Sequence, residues 1–445
     1  MLAAVRLPES RYDRADPFGE LRALAEQAGA VVVGEMAQSL ERPLPGTYMG
    51  TGKVRELKGL CERVGATTVI FDHDLSPRQI ANIEQEVERK VIDRSELILD
   101  IFAARATTHE ARLQVELAQL EYTYPRLRAM WDHLERIVGR GGIGGVGTRG
   151  PGEQQLEIDR RLVQRRRLAL QRELAEIQGR KRRAVRKRNE EHFTVGLVGY
   201  TNAGKSTLFN TLTAGGAYAD DRLFATLMTR TREWAVEGGL RVMLSDTVGF
   251  VRDLPHNLIA SFRATLEEAT HADLLLIVLD ASDPAAEHHL GVVERTLDDL
   301  FAEVRRQEVR DGDTGWRAPE RLLLLNKADR LRDNAELLVW KHKRPDSIAL
   351  CALPGPDGRP RMGAEELAAA VALAARGAER EVLVTLPSAD ARAIHLIETE
   401  GYVLERSYSD SEVTLRARLG ERQLLRLRAA SPRARIADAL DRHRA

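Results

Sequence analysis

The stretch Gly199-Tyr200-Thr201-Asn202-Ala203-Gly204-Lys205-Ser206 constrains this chain more than any other. It follows the apolar run Thr194 to Val198 and precedes a helical pattern from Thr207, which sets G-x-x-x-x-G-K-[ST] between a strand and a helix. Glycines let the backbone wrap a phosphate with successive N–H groups pointing inward. The helix that follows adds the positive end of its dipole. Lys205 supplies a point charge for the β- and γ-phosphates, and the Ser206 hydroxyl suits Mg2+. Average residue frequencies give such a pattern in roughly 1–2% of chains of this length, so the strand–loop–helix setting decides against a chance glycine-rich turn.

A phosphate loop does not choose its base. Asn326-Lys327-Ala328-Asp329 stands at the carboxyl end of the apolar run Arg321 to Leu325, and its carboxylate can accept from both guanine N1–H and N2–H2. Adenine lacks that donor pair and would leave the carboxylate unsatisfied, a discrimination of ~10³-fold or more. Asp246-Thr247-Val248-Gly249 follows a third run, Arg241 to Leu244. There Asp246 suits holding Mg2+ through water, and the Gly249 N–H suits sensing a γ-phosphate. Alone, either short motif is a common turn. In this order, each after its own strand, the three predict a guanine-nucleotide site on an α/β, doubly wound P-loop GTPase sheet.

The nucleotide-binding residues expected are Gly199 to Thr207, Phe224-Ala225-Thr226-Leu227, Asp246 to Gly249, Asn326 to Asp329 and Leu350-Cys351-Ala352. Among the threonines between Asp220 and Arg232, Thr226 is chosen to close the Mg2+ shell with Ser206. Lys205, Thr226 and Gly249 are the expected catalytic residues. Cys351 reads as a packed small residue rather than a nucleophile. Many GTPases carry glutamine after the Gly249 position to orient water; here it is Phe250, which can neither donate nor accept. Intrinsic hydrolysis is therefore expected to be slow, with water ordered by a partner, a backbone group or a monovalent cation near Asn202. Phe250 also reads as an anchor for its own segment.

At 445 residues the chain exceeds one core. Patterning divides it into residues 1–106, a small α/β domain; 107–191, a helical hairpin; 192–378, the nucleotide domain; and 379–445, a small α/β appendage. In the first, Val31-Val32-Val33, Thr67 to Phe71 and Val91-Ile92 read as strands and Gln79 to Glu88 as helix. In the hairpin, Leu113, Leu117, Leu120, Tyr124, Leu127, Trp131, Leu134 and Val138 form a heptad seam that continues past Pro125. Leu156, Val163, Leu170, Leu174 and Ile177 answer it across a glycine-rich connection, Gly139 to Gly152. The stretch Gly355 to Gly363 reads as a surface loop. Two cysteines, Cys61 and Cys351, give no disulfide framework or thiolate metal cluster. No apolar leader or membrane-length run is found, so a cytoplasmic monomer without a transmembrane segment is expected.

Lys plus Arg and Asp plus Glu both total 67, yet the bases crowd. Between Arg160 and Arg188 stand thirteen, opposed within the segment by Glu173 and Glu176. The stripe suits a polyanion, and RNA fits better than DNA because no groove-reading module accompanies it. A solvated helix face and an anionic membrane surface are the alternatives. Arg149, Arg160, Arg161, Arg165, Arg166, Arg167, Lys181, Arg182 and Arg183 are the RNA contacts expected.

Several longer stretches add a resemblance: Tyr48 to Val54, Asp74 to Gln79, Gly147 to Glu153 with Leu156-Glu157, and Asp246 to Phe250 continuing to Asp253-Leu254-Pro255. With them the chain resembles the HflX family of ribosome-associated GTPases over nearly its whole length. The resemblance implies binding of the large ribosomal subunit, the hairpin directed at ribosomal RNA, and GTP-dependent splitting of stalled ribosomes under stress. It also links the N-terminal domain to nucleotide. Two departures stand out. Leu227-Met228-Thr229-Arg230 replaces the family's Leu-Asp-Pro-Thr, and Cys351 replaces a serine in the base-side loop.

Overall fold

The computed structural model describes residues 1–8, 16–141, 151–213, 230–236, 240–247, 249–252, 268–310, 316–331, 334–377, 380–409 and 411–438. Phe224, Ala225, Thr226, Leu227, Val248 and Arg149 lie outside the described residues.

The chain opens with β1 (Leu2–Arg6), α1 (Gly19–Gln27), β2 (Glu35–Ser39), α2 (Thr51–Val64), β3 (Thr68–Phe71), α3 (Pro77–Val87), β4 (Lys90–Ile92) and α4 (Arg94–Arg105). All pairings in the sheet, ordered β2-β1-β3-β4, are parallel. Alternation along β1 explains why both faces are covered: Leu2 and Ala4 pack with α1 and α4, while Ala3 and Val5 pack with α2 and α3. Helix α3 starts where Ser76 and Gln79 form a capping box ahead of Pro77. Val31 to Val33 is not a strand; Val31 is 83% exposed, and β2 begins only at Glu35. There β-propensity lost to the register of β1, a strand the sequence reading passed over.

Helices α5 (His109–Gly141) and α6 (Pro151–Glu191) form the hairpin. Leu113 and Leu117 pack on Leu170 and Leu174, flanked by Leu120 and Ile177. The helix continues through Pro125, and both ends of the expected connection are helical, since α5 runs to Gly141 and α6 starts at Pro151. The middle of α5 is tied to the N-terminal domain by Arg126, 2.5 Å from Asp93 at the start of α4 and stacked over Tyr122. Burial pushes the Asp93 carboxyl up despite Arg126.

The nucleotide unit follows: β5 (Thr194–Gly199), α7 (Lys205–Leu212), β6 (Arg230–Ala235), β7 (Arg241–Asp246), β8 (Leu274–Asp280), α8 (Ala286–Arg310), β9 (Glu320–Asn326), α9 (Asn334–Lys343), β10 (Ile348–Ala349), β11 (Cys351–Pro354), β12 (Pro360–Met362) and α10 (Ala364–Arg376). Its six-stranded sheet runs β10-β9-β8-β5-β7-β6, with only β6 antiparallel. Strand β8 is apolar throughout because it is buried on both sides: Leu274, Leu276 and Val278 face α7 and α10, Leu275, Ile277 and Leu279 face α8. At roughly 1.5–3 kcal/mol per buried side chain, this strand is the unit's main apolar anchor. The stretch from Gly355 to Gly363, read as a loop, contains β12, paired antiparallel with β11.

Last come β13 (Arg380–Pro387), α11 (Ala391–Glu400), β14 (Tyr402–Tyr408), β15 (Glu412–Leu419), α12 (Glu421–Ala430) and β16 (Arg435–Asp438), an antiparallel sheet ordered β14-β15-β13-β16. Val382, Val384, Leu415 and Ala417 bury one face against both helices. Among the described residues, no helix is long and apolar enough to cross a membrane.

Candidate functional site

The carboxyl ends of β5, β7, β8 and β9 bring the three motifs to one edge of the sheet. Between β5 and α7 the loop turns on Gly204, at φ +96°, where a Cβ would lie 2.3 Å from Asn326 Nδ2. Glycine is required there because the Asn326 amide crosses over to the loop, donating to the Ala203 carbonyl at 2.7 Å. Its carbonyl accepts from the Ala352 N–H at 3.0 Å. One asparagine thus ties the phosphate loop to the base-side segment.

Lys205 is buried and donates to the carbonyls of Gly199, 3.1 Å, and Tyr200, 2.7 Å. Burial pulls its ammonium down to about 8, against the opposing pull of Asp246. A phosphate beside it would raise that value again. The Ser206 hydroxyl donates to Asp246 Oδ2 at 2.8 Å. A hydroxyl and a carboxylate at a helix N-terminus are hard oxygen donors, a set that fits Mg2+. Among the described residues no cluster of three or more His, Cys, Asp or Glu could hold a metal.

Gly249 lies so close to the loop that a Cβ would meet Thr201 Cγ2 at 2.9 Å and Lys205 Nζ at 3.0 Å. Phe250 is bridged to the same loop: its N–H donates to Gly199 at 3.0 Å, and the Thr201 N–H donates to Phe250 at 2.8 Å. The phenyl ring is 2% exposed and points into the core among Tyr200, Leu275 and Leu290, not at the phosphate site. Asn202 and Lys327 both have left-handed backbones, φ +60° and +58°, a conformation uncommon outside glycine.

On the base side, Asp329 is exposed at the start of a short 3-10 turn, Ala328–Arg330. Leu350, Cys351 and Ala352 are buried behind it. Burial pushes the Cys351 thiol up, and its hydrogen bond to Asp329 adds to the shift, so it stays protonated as a donor. Asp280 gave no sequence signal, and Tyr200 was expected only as part of the phosphate loop. Asp280, ending β8, holds Lys327 Nζ at 2.6 Å. Tyr200 bears a phenol that donates to Glu20 at 2.8 Å and accepts from the Arg252 N–H at 2.9 Å.

Tyr200 belongs to a junction with the first sheet. Arg94, fully buried, reaches Asp72 at 2.7 Å, Glu20 at 2.5 Å and the Arg252 carbonyl at 3.2 Å. Arg252 returns a bond to Asp72 at 2.6 Å, and Val251 packs in the N-terminal core. Burial pushes the Glu20 carboxyl up, but Arg94, Arg252 and Tyr200 outweigh it and hold it below its ordinary value. Beside this junction a cavity of about 490 Å3 separates α1 from Tyr200, Asn202, Asp283 and His288.

The arm is less free than its composition implied. Arg166 pairs with Glu116 of α5 at 2.7 Å, Lys181 approaches Glu110 at 3.8 Å, and Arg188 turns to Glu268 at 3.6 Å. Arg161 and Arg165 are exposed, Arg167 partly so, as is Lys181; Arg183 is exposed. The side chains of Arg160 and Arg182 lie outside the described residues.

Together the sheet order and this edge define a GTPase of the P-loop class. Three family models match in sequence along the chain: a GTP-binding GTPase N-terminal region at residues 15–103, a GTP-binding GTPase middle region at 105–188, and a 50S ribosome-binding GTPase at 194–310. GTPase HflX of Magnetococcus marinus is 41% identical over 411 residues, 92% of this chain and 89% of that one. GTPase HflX of Lacrimispora saccharolytica is 46% identical over 290 residues, 65% and 67% respectively. Among solved structures, a GTP-binding protein from Sulfolobus solfataricus in complex with GDP is 25% identical, with TM-score 0.41, covering 84% of this chain and 98% of that one. The chain belongs to the HflX family.

Proposed function

We propose that this GTPase binds the large ribosomal subunit, contacts its RNA through the basic arm, and couples GTP turnover to splitting or rescue of stalled ribosomes under stress. The observation that carries the reading is the exposed row of Arg161 and Arg165 on a helix whose far end is joined to the nucleotide unit. The 50S ribosome-binding family model over the nucleotide unit supports the same partner.

In this reading the backbone N–H groups from Asn202 to Thr207 hold the phosphates, and Lys205 balances the β- and γ-oxygens. Asp329 selects guanine, with Cys351 behind it as donor. Ser206 and Thr226 would hold Mg2+, and Asp246 would support it through water. When bound there, Mg2+ neutralises charge developing on the phosphate oxygens. Gly249 and Thr226 sense the γ-phosphate, and hydrolysis releases both segments. Because Phe250 is turned into the core, the hydrolytic water takes its orientation from elsewhere, and the ribosome is the source proposed. The same observation favours a second reading, a GTP-gated ribosome or RNA scaffold for which turnover is incidental.

The triple variant Arg165→Ala/Arg166→Ala/Arg167→Ala tests the arm. Cosedimentation with large subunits should fall steeply with salt and be lost in the variant while GTP binding persists. Undiminished cosedimentation would refute the role of the arm.

A further inference from the structure

The base of the arm meets the nucleotide unit at Glu268, a side chain 8% exposed that no part of the proposed mechanism uses. One carboxylate oxygen lies 3.6 Å from Arg188 Nη2, in the last turn of α6. The other accepts from the Thr231 hydroxyl at 3.0 Å. Thr231 Oγ1 in turn lies 3.0 Å from Ser245 Oγ, across the β6–β7 pairing in which Thr231 opposes Ser245 and Arg230 opposes Asp246. Asn189, next to Arg188, donates to the His271 carbonyl and fixes the end of α6 in place.

The chemistry gives this chain of contacts a direction. A carboxylate only accepts, so the single Thr231 proton goes to Glu268, and Ser245 must then donate to Thr231. Both hydroxyls are thereby oriented by Glu268. Ser245 directly precedes Asp246, whose carboxylate meets Ser206. We propose that Glu268 is a positioning residue: it links the root of the basic arm to the end of β7 and thereby sets how firmly Ser206 and Asp246 hold Mg2+ with nucleotide. The proposal rests on the reading of Ser206 and Asp246 as the metal side of the site.

Groups outside a metal's immediate shell tune its affinity by about 10–100-fold, and Glu268 sits at the far end of such a chain. The test follows release of a fluorescent GDP from the full chain across a Mg2+ titration, with excess EDTA as the metal-free reference. Glu268→Gln should raise the Mg2+ concentration for half-maximal retention about tenfold and leave release in EDTA unchanged. Thr231→Val, which spares the ion pair, should shift the titration the same way. Arg188→Gln should shift it about threefold, and no further when added to Glu268→Gln, the signature of one coupled path. Wild-type release indifferent to Mg2+ would refute the metal reading itself. Wild-type dependence matched by Glu268→Gln, equal acceleration in EDTA, or additive effects of the two variants would each overturn the positioning role while leaving that reading intact.

Discussion

Among the described residues, the nucleotide unit meets the N-terminal domain and the arm on different terms. At the N-terminal junction two arginines and two carboxylates are interlocked around the phenol of Tyr200, with Arg94 wholly buried. At the arm the tie described is an ion pair at 3.6 Å, with Arg188 23% exposed, beside the Asn189 hydrogen bond to the His271 carbonyl. A buried network of charges cannot open piecemeal, because each group left behind is stranded in low dielectric. The segment Phe250 to Arg252 and the first sheet therefore move together or not at all. The arm's tie, partly wet, can yield by degrees. The first contact suits a fixed frame, the second a graded signal.

Breaking the frame should give the largest effect. Arg94→Met strands Glu20 and Asp72 and should cost about 3–5 kcal/mol in denaturant unfolding. A loss below about 1 kcal/mol would mean that the junction is as soft as the arm's. Tyr200→Phe removes the hydroxyl that joins Glu20 to the Arg252 N–H and should cost about 1–3 kcal/mol by the same assay. Acid should sharpen the contrast. Glu20 is held below its ordinary value of 4.5, so its contribution is complete above that pH and is lost as pH falls through the lower, folded value. The stability gap between wild type and Glu20→Gln should accordingly shrink on acidification below 4.5; a gap that widens would reverse the assignment. Smallest of all, Glu268→Gln should change stability by under about 1 kcal/mol, since losing a long ion pair is offset by relief of a buried charge. A larger loss would place the arm's root in the frame as well.

The nucleotide edge was largely legible because each motif declares its chemistry locally: Gly204, Lys205 and Asn326 are read from a few neighbours. Strand β8 was legible from its unbroken apolar run. What escaped depends on distant partners. Arg94 follows β4 as an ordinary helix-start residue, and only the fold brings Asp72 and Glu20 to it. Val31 to Val33 looked like a strand by residue type, but β1 had already selected Glu35 to Ser39 as its partner. The arm's bases were visible, their partners Glu116 and Glu110 less so, because those stand on the opposing helix. Thr226 and its neighbours fall outside the described residues, so their expected part rests on the sequence alone.

Rates of GTP hydrolysis with and without large ribosomal subunits, with Lys205→Ala as the blank, test the central claim most directly. With Phe250 packed in the core, slow intrinsic turnover should rise on the order of a hundredfold when the subunit supplies what orients the water. Turnover that ignores the subunit while GTP remains bound would contradict ribosome-coupled hydrolysis and leave the scaffold reading in its place.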